Sequence, residues 1–194
     1  MDNLFERYNR LKSIVVERKQ EFETLINFIE KETAWLTSPA STKFHLCREH
    51  GLLEHSCNVA ETLLKIKATL APHISDESCV IVALLHDLGK AGMPGNPQYL
   101  INEPTPRQKQ YGYPATYPYR FNNDLTYLSV PIRSIYLALQ YIHLSEEETQ
   151  SIVYHDGQYV EDNKSVATNE EPLTLLLQYA DNWSGFVLET ENQE

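Results

Sequence analysis

Val80–Lys90, VIVALLHDLGK, is the stretch that decides the fold. An unbroken apolar run from Val80 to Leu85 reads as a buried helix, so His86 and Asp87 enter the interior with it. A carboxylate in that position is costly unless something cationic compensates it. A bound metal is the simplest compensator, and imidazole and carboxylate are both good ligands. Successive helical residues diverge by about 100°. The pair can therefore serve one site only where the helix ends, and Gly89 signals that end.

On the N-terminal side a helix is predicted over Leu52–Leu70, with Leu52, Val59, Leu63 and Ile66 along its apolar face and Pro72 as its stop. His55, four residues before Val59, shares that face. Asp76 is expected to cap the next helix, Glu77–Leu88, which carries the His–Asp pair. Residues 3–36 are amphipathic, with Leu4, Tyr8, Leu11, Val15, Phe22, Leu25, Phe28 and Ile29 as apolar positions, and read as one helix or two joined near residue 20. This segment either packs on the core or offers a face for a homodimer. Ser38–Pro39–Ala40–Ser41 breaks the pattern.

On the C-terminal side the character changes from Ala91 to Leu128. Prolines 94, 97, 104, 106, 114 and 118 and tyrosines 99, 111, 113, 117, 119 and 127 leave no periodicity. An irregular stretch of this length is usually functional or mobile; it reads as an aromatic lid or as a surface excursion packed by its own tyrosines. Helices resume at Pro131–Tyr141 and Ser145–Tyr154, the latter with a Ser145/Glu148 capping box and His155 at its end. A last helix is expected over Pro172–Leu188, with Asp181 facing inward. No strand pattern or repeat is evident. The prediction is an all-α single domain: a packed N-terminal segment (1–36), a helical bundle with an irregular Tyr/Pro-rich insertion (37–188) and a frayed tail (189–194).

Bulk properties set limits on function. The 194 residues suffice for one domain with a sizeable core. A formal net charge of −11 argues against a duplex nucleic-acid or anionic-membrane binder. A small phosphorylated substrate stays compatible, because a local cation or metal can invert the field at one site. Cys47, Cys57 and Cys79, odd in number and without CxxC spacing, read as buried thiols of a reducing compartment. The N-terminus MDNLFERYNR lacks the order of a signal peptide, so the expected location is the cytoplasm.

Three helices thus each bring polar groups to an apolar face: His55, then His86 with Asp87, then Asp181. Singly, each has a bland explanation in a hydrogen-bonded core histidine or a capping aspartate. Together they form a mixed N/O set suited to Mn, Fe, Co, Ni, Zn or Mg.

With the strings GLLEHS (Gly51–Ser56), LLHDLGK (Leu84–Lys90) and QYADN (Gln178–Asn182), the order H…HD…D resembles the HD-domain superfamily of metal-dependent phosphohydrolases. PASTKFH (Pro39–His45) and LSEEETQSIVYHDG (Leu144–Gly157) are similar to small stand-alone bacterial and phage members. The resemblance covers roughly residues 35–188. It implies that His55, His86, Asp87 and Asp181 ligate one divalent transition metal. In relatives with two metals, further histidines lie between the HD pair and the last Asp. His155 stands at one such place; at the other, a GHGEKS-like segment reads Ser129–Val130–Pro131–Ile132–Arg133–Ser134, and Val130 cannot ligate. That departure favours a mononuclear site.

The implied reaction is hydrolysis of a phosphoester or phosphoanhydride, with a nucleotide as the leading substrate. Asp87 is the candidate proton acceptor and His155 the candidate general acid, with a helix-end structural role as its alternative. Lys90 is the first candidate for a phosphate contact, followed by Thr42 and Lys43 of the PASTK segment and by Arg133. Tyr179 and Trp183 either pack the ligand helix or stack on a base. Two rivals keep the fold: a degenerate HD domain that only binds a nucleotide or partner, and a di-iron oxygenase, which needs more ligands than the Val130 position leaves.

Overall fold

In the computed structural model, which describes residues 3–190, the expected bundle forms around the Val80–Leu85 run. The chain opens with α1 (Leu4–Lys12) and α2 (Lys19–Glu32). Asn3 and Glu6 make a capping box that starts α1. The single break lies at residues 13–18, slightly before the expected joint near residue 20. There the Glu77 carboxylate accepts the backbone N–H groups of Val16, Glu17 and Arg18, so the turn leaves few orphan donors. Tyr8, Leu11, Phe22, Leu25 and Ile29 are all buried inside the chain, so the apolar stripe of this segment is spent on its own core. Trp35 closes the layer by donating its indole N–H to the Tyr8 hydroxyl at 3.0 Å.

α3 (Gly51–Leu70) and α4 (Asp76–Leu85) pack together at the centre, and every residue from Cys79 to Leu85 is fully buried. The cap of α4 is Ser75 rather than Asp76, because its hydroxyl accepts the N–H groups of Glu77 and Ser78. Asp76 instead pairs with Lys67 at 2.6 Å. α4 stops at Leu85, three residues before the expected end, and the chain tightens into a 3₁₀ turn over Leu88–Ala91.

Two short strands, unforeseen in the sequence, organise the Tyr/Pro-rich insertion. β1 (Tyr99–Ile101) pairs antiparallel with β2 (Tyr119–Phe121), and a one-turn helix, α5 (Pro106–Gln110), sits in the arm between them. Three residues per strand are too few for an alternation to stand out from the surrounding prolines. The chain then returns through α6 (Val130–Ala138) and α7 (Glu146–Val153), the latter with the predicted capping box. α8 (Pro172–Trp183) completes the bundle against α3 and α7. The last helix does not run regularly to Leu188: it widens into a π-turn, Ser184–Leu188.

The expected fraying does not begin at residue 189. Glu189 is buried beneath α3, while residues 191–194 lie outside the described part. The three thiols are free; Cys57 and Cys79 are buried, whereas Cys47 is only half-buried. Among the described residues no helix is long and apolar enough to cross a membrane.

Candidate metal centre

The end of α4 is what aims the two adjacent side chains at one point. His86 is the last residue with helical geometry, and Asp87 follows at φ −105°, ψ 10°, where the chain leaves the helix. Gly89 permits the turn by close approach: a Cβ there would lie 2.3 Å from the carbonyl oxygen of Val130. Ser134, one turn further along α6, secures the same turn. Its hydroxyl accepts the Gly89 N–H at 2.8 Å and lies 2.9 Å from the His86 carbonyl.

His55 from α3 and Asp181 from α8 meet this turn. His55 Nε2 lies 3.0 Å from Asp181 Oδ1, 3.4 Å from His86 Nε2 and 3.6 Å from Asp87 Oδ2. His86 Nε2 lies 3.5 Å from Asp87 Oδ2 and 3.9 Å from Asp181 Oδ1. Donors bonded to one ion at about 2.1 Å stand roughly 3–3.5 Å from each other. His55, His86 and Asp181 form one trio able to hold an ion, Asp87 stands within 3.6 Å of both imidazoles, and this mixed imidazole–carboxylate chemistry suits a divalent transition ion.

The imidazoles are held in place by acceptors on their outer nitrogens. Nδ1 of His86 is 2.8 Å from the Ala83 carbonyl, and Nδ1 of His155 is 2.8 Å from the Ile152 carbonyl. With Nδ1–H donated to the backbone, the Nε2 atom of each ring points inward. His55 achieves the same with a carboxylate: its Nδ1 is 3.0 Å from Glu189 Oε1. His155 Nε2 lies 3.6 Å from Asp87 Oδ1, and His86, Asp87 and His155 form a second trio able to hold an ion beside the first.

Burial and charge act against each other throughout the cluster. Burial, helped by the neighbouring His155 and His55, outweighs the Asp87 and Asp181 carboxylates and pulls His86 down to about 4, which keeps it neutral. Burial also opposes the charge on His55, but the Asp181 and Glu189 carboxylates outweigh it and raise the group to about 10. The Asp87 carboxylate raises His155 in the same way, to about 9. Burial likewise disfavours ionised Asp87 and Asp181. Lys90 and the histidines hold Asp87 well below the usual carboxylate range, and His55, then His86 and His155, do the same for Asp181. A proton or a metal ion can bridge the His55–Asp181 pair, so metal uptake at neutral pH entails proton release.

The other predicted site residues divide into two groups. Lys90 is at the centre, with Nζ 2.5 Å from Asp87 Oδ2 and the Tyr99 phenol of β1 also favouring its charge. Lys43 and Thr42 sit on the loop that passes the cluster, where the His45 ring lies 5.2 Å from that of His55. Lys43 is exposed, with its ammonium 5.8 Å from the Tyr117 ring, and Thr42 is half-buried. Ser41 shapes that loop by accepting the Phe44 N–H at 2.8 Å.

Arg133 is not a free cation facing a substrate. It is buried and donates to the side chain of Gln98 and to the carbonyls of Thr126 and Gly89, which makes it a clamp between α6 and the insertion. Tyr179 and Trp183 do not pack the ligand helix either; both are mostly exposed, at 62% and 54%. His45, on a loop leading to His55 and not assignable as a ligand from sequence, neighbours the cluster, and sequence reasoning misses Glu189 altogether. Nothing local marks Glu189, since its partner His55 is 134 residues away and the π-turn that delivers it leaves no pattern in the sequence.

A helical bundle with buried His and Asp donors converging from three helices defines a metal-binding class of protein. The HD-domain family model matches residues 52–183, a span that includes all four donors, and the chain belongs to the HD-domain family, within the metal-dependent phosphohydrolase superfamily. No curated protein and no solved structure matches the chain significantly.

Proposed function

We propose that this protein is a metal-dependent phosphohydrolase that cleaves a phosphoester or phosphoanhydride bond in a small nucleotide-like substrate. The observation that carries the reading is the convergence of His55, His86, Asp87 and Asp181, all within 3.9 Å of at least two of the others. These four residues would hold the ion, which when bound supplies a Lewis acid and lowers the pKa of water toward neutrality.

The chain's own residues supply the rest. Asp87, ionised and within reach of both His86 and His155, can accept a proton. His155, its Nδ1 fixed by Ile152, presents a protonated Nε2 suited to donate to a leaving group. Lys90 places a buried-stem ammonium beside Asp87, where it can offset phosphoryl charge. Within a chain of net charge −11, such a local cation is what an anionic substrate needs. The nucleotide assignment rests on the exposed aromatic side chains of the insertion, Tyr111, Tyr113 and Tyr117, with Lys43 beside Tyr117.

The test is metal analysis of the purified protein, paired with a hydrolysis screen over nucleoside mono- and triphosphates, cyclic dinucleotides and bis-p-nitrophenyl phosphate. Phosphate release that depends on added Mn(II), Co(II) or a similar ion is expected. Thermal stabilisation by a nucleotide without any release would instead make the protein a binding module.

A further inference from the structure

Of the metal-binding histidines, His55 is the one whose outer nitrogen meets a carboxylate rather than a backbone carbonyl. Glu189 Oε1 and Oε2 lie 3.0 and 3.2 Å from His55 Nδ1. The carboxylate is itself held in place: Asn58, on the next turn of α3, donates its side-chain N–H to Oε1 at 3.0 Å. His45 Nε2 stands 3.7 Å from Oε2. Glu189 is only 2% exposed and pairs with no lysine or arginine among the described residues, an expensive placement for a group with no task.

The backbone is built to deliver it. Asp181 and Glu189 lie on the same terminal segment, eight positions apart (189 − 181), and a regular α-helix would set them about 80° apart around its axis. The π-turn Ser184–Leu188 winds more slowly, and the Glu189 N–H bonds back to the Ser184 carbonyl five residues earlier at 3.0 Å. The slower winding brings both carboxylates onto the face that meets α3. One acid then faces Nε2 of His55 and the other faces Nδ1 of the same ring. Gly185 within the turn leaves ordinary contact distance under the His45 ring, from which a Cβ there would lie 3.7 Å.

We infer that Glu189 is a positioning residue for the metal centre: it fixes His55 with its proton on Nδ1 and strengthens Nε2 as a ligand. This rests on the proposed metal site. A carboxylate that accepts the second N–H of a ligating imidazole fixes its tautomer and raises its basicity, and losing such a partner typically weakens metal binding about 10–100-fold.

The experiment is cobalt(II) titration of the full chain at neutral pH, followed by its visible absorption, with wild type, Glu189→Gln, Glu189→Ala and Asn58→Ala compared. Far-UV circular dichroism and thermal melting without metal serve as folding controls. Glu189→Ala is expected to bind Co(II) about 10–100-fold more weakly, with Glu189→Gln in between and an altered d–d spectrum in both. In the wild type, the His55 Nδ1–H is expected as a downfield, slowly exchanging proton resonance. Affinity and spectrum unchanged in folded Glu189→Gln and Glu189→Ala would overturn the assignment while the metal site stands. So would a wild-type spectrum with His55 protonated on Nε2 alone. A wild type that binds no cobalt removes the metal site itself, and the role of Glu189 with it.

Discussion

The Nε2 atoms of His55 and His86 face each other across 3.4 Å, although 31 residues separate them in the chain. Two imidazole nitrogens this close, both turned inward by acceptors on Nδ1, are poised to share an ion or a proton. Asp87 and Asp181 complete the ring of donors, and the first prediction concerns them. Asp87→Ala and Asp181→Ala should each lower metal affinity by more than about 100-fold, beyond the loss expected for an outer partner. Metal content after dialysis and turnover of bis-p-nitrophenyl phosphate should fall together. A variant that keeps stoichiometric metal would remove that residue from the ligand set.

Lys90 should behave differently. Its ammonium touches Asp87 through one oxygen only, so Lys90→Ala should leave the metal bound while raising KM for a phosphorylated substrate. The comparison to make is metal content against steady-state kinetics. Loss of metal in this variant would reassign Lys90 from substrate contact to support of Asp87.

A third prediction concerns stability rather than chemistry. Arg18 reaches Glu77 at 2.9 Å and Glu148 at 2.7 Å, tying the start of α2 to α4 and α7. Burial opposes ionisation of both carboxyls, but Arg18 with backbone N–H groups outweighs it and holds each below its ordinary value of 4.5. Groups with depressed folded-state values stabilise the protein above their unfolded pKa and lose that contribution as pH falls through the folded one. Arg18→Met should therefore cost about 2–4 kcal/mol at pH 7, with the deficit shrinking below about pH 4. Urea denaturation of both proteins between pH 3 and 7 measures it; a deficit constant across that range would exclude the ion network as its source.

Gly89 offers a test of the turn itself. A methyl group there would meet backbone atoms of Val130 at 2.3 and 3.0 Å, which cannot move aside as a flexible side-chain tip could. Gly89→Ala should destabilise the protein by about 1–3 kcal/mol and weaken metal binding, because Asp87 would shift with the displaced turn. Thermal melts with and without added Mn(II) separate the two effects, and a variant as stable and as metal-competent as wild type would contradict this packing.

The sequence makes the candidate ligand set and the helical class readable for one reason: polar residues on otherwise apolar helix faces stand out. His55, His86, Asp87 and Asp181 could each be found that way. Arg133 departs from the expected substrate contact because a cation near the site looks the same in sequence whether it faces solvent or a carbonyl cage; only the folded insertion supplies Gln98 and Thr126 as its partners. The two strands escaped notice because their pairing is local and short. Glu189 escaped because its position depends on a change of helical winding that ordinary residue types do not announce. Tyr179 and Trp183 were expected to pack inward or to stack on a base, yet they stand largely in solvent, since α8 spends its other faces on α3 and α7.

Arg133 also sets the mechanics of the insertion. Its guanidinium grips Gln98 just before β1, Thr126 after β2 and the Gly89 carbonyl two residues past Asp87. Both roots of the excursion are thus riveted to the turn that carries the acid. Any swing of the tyrosine-bearing arm would have to pivot outboard of that rivet, which leaves the turn that carries His86 and Asp87 in place.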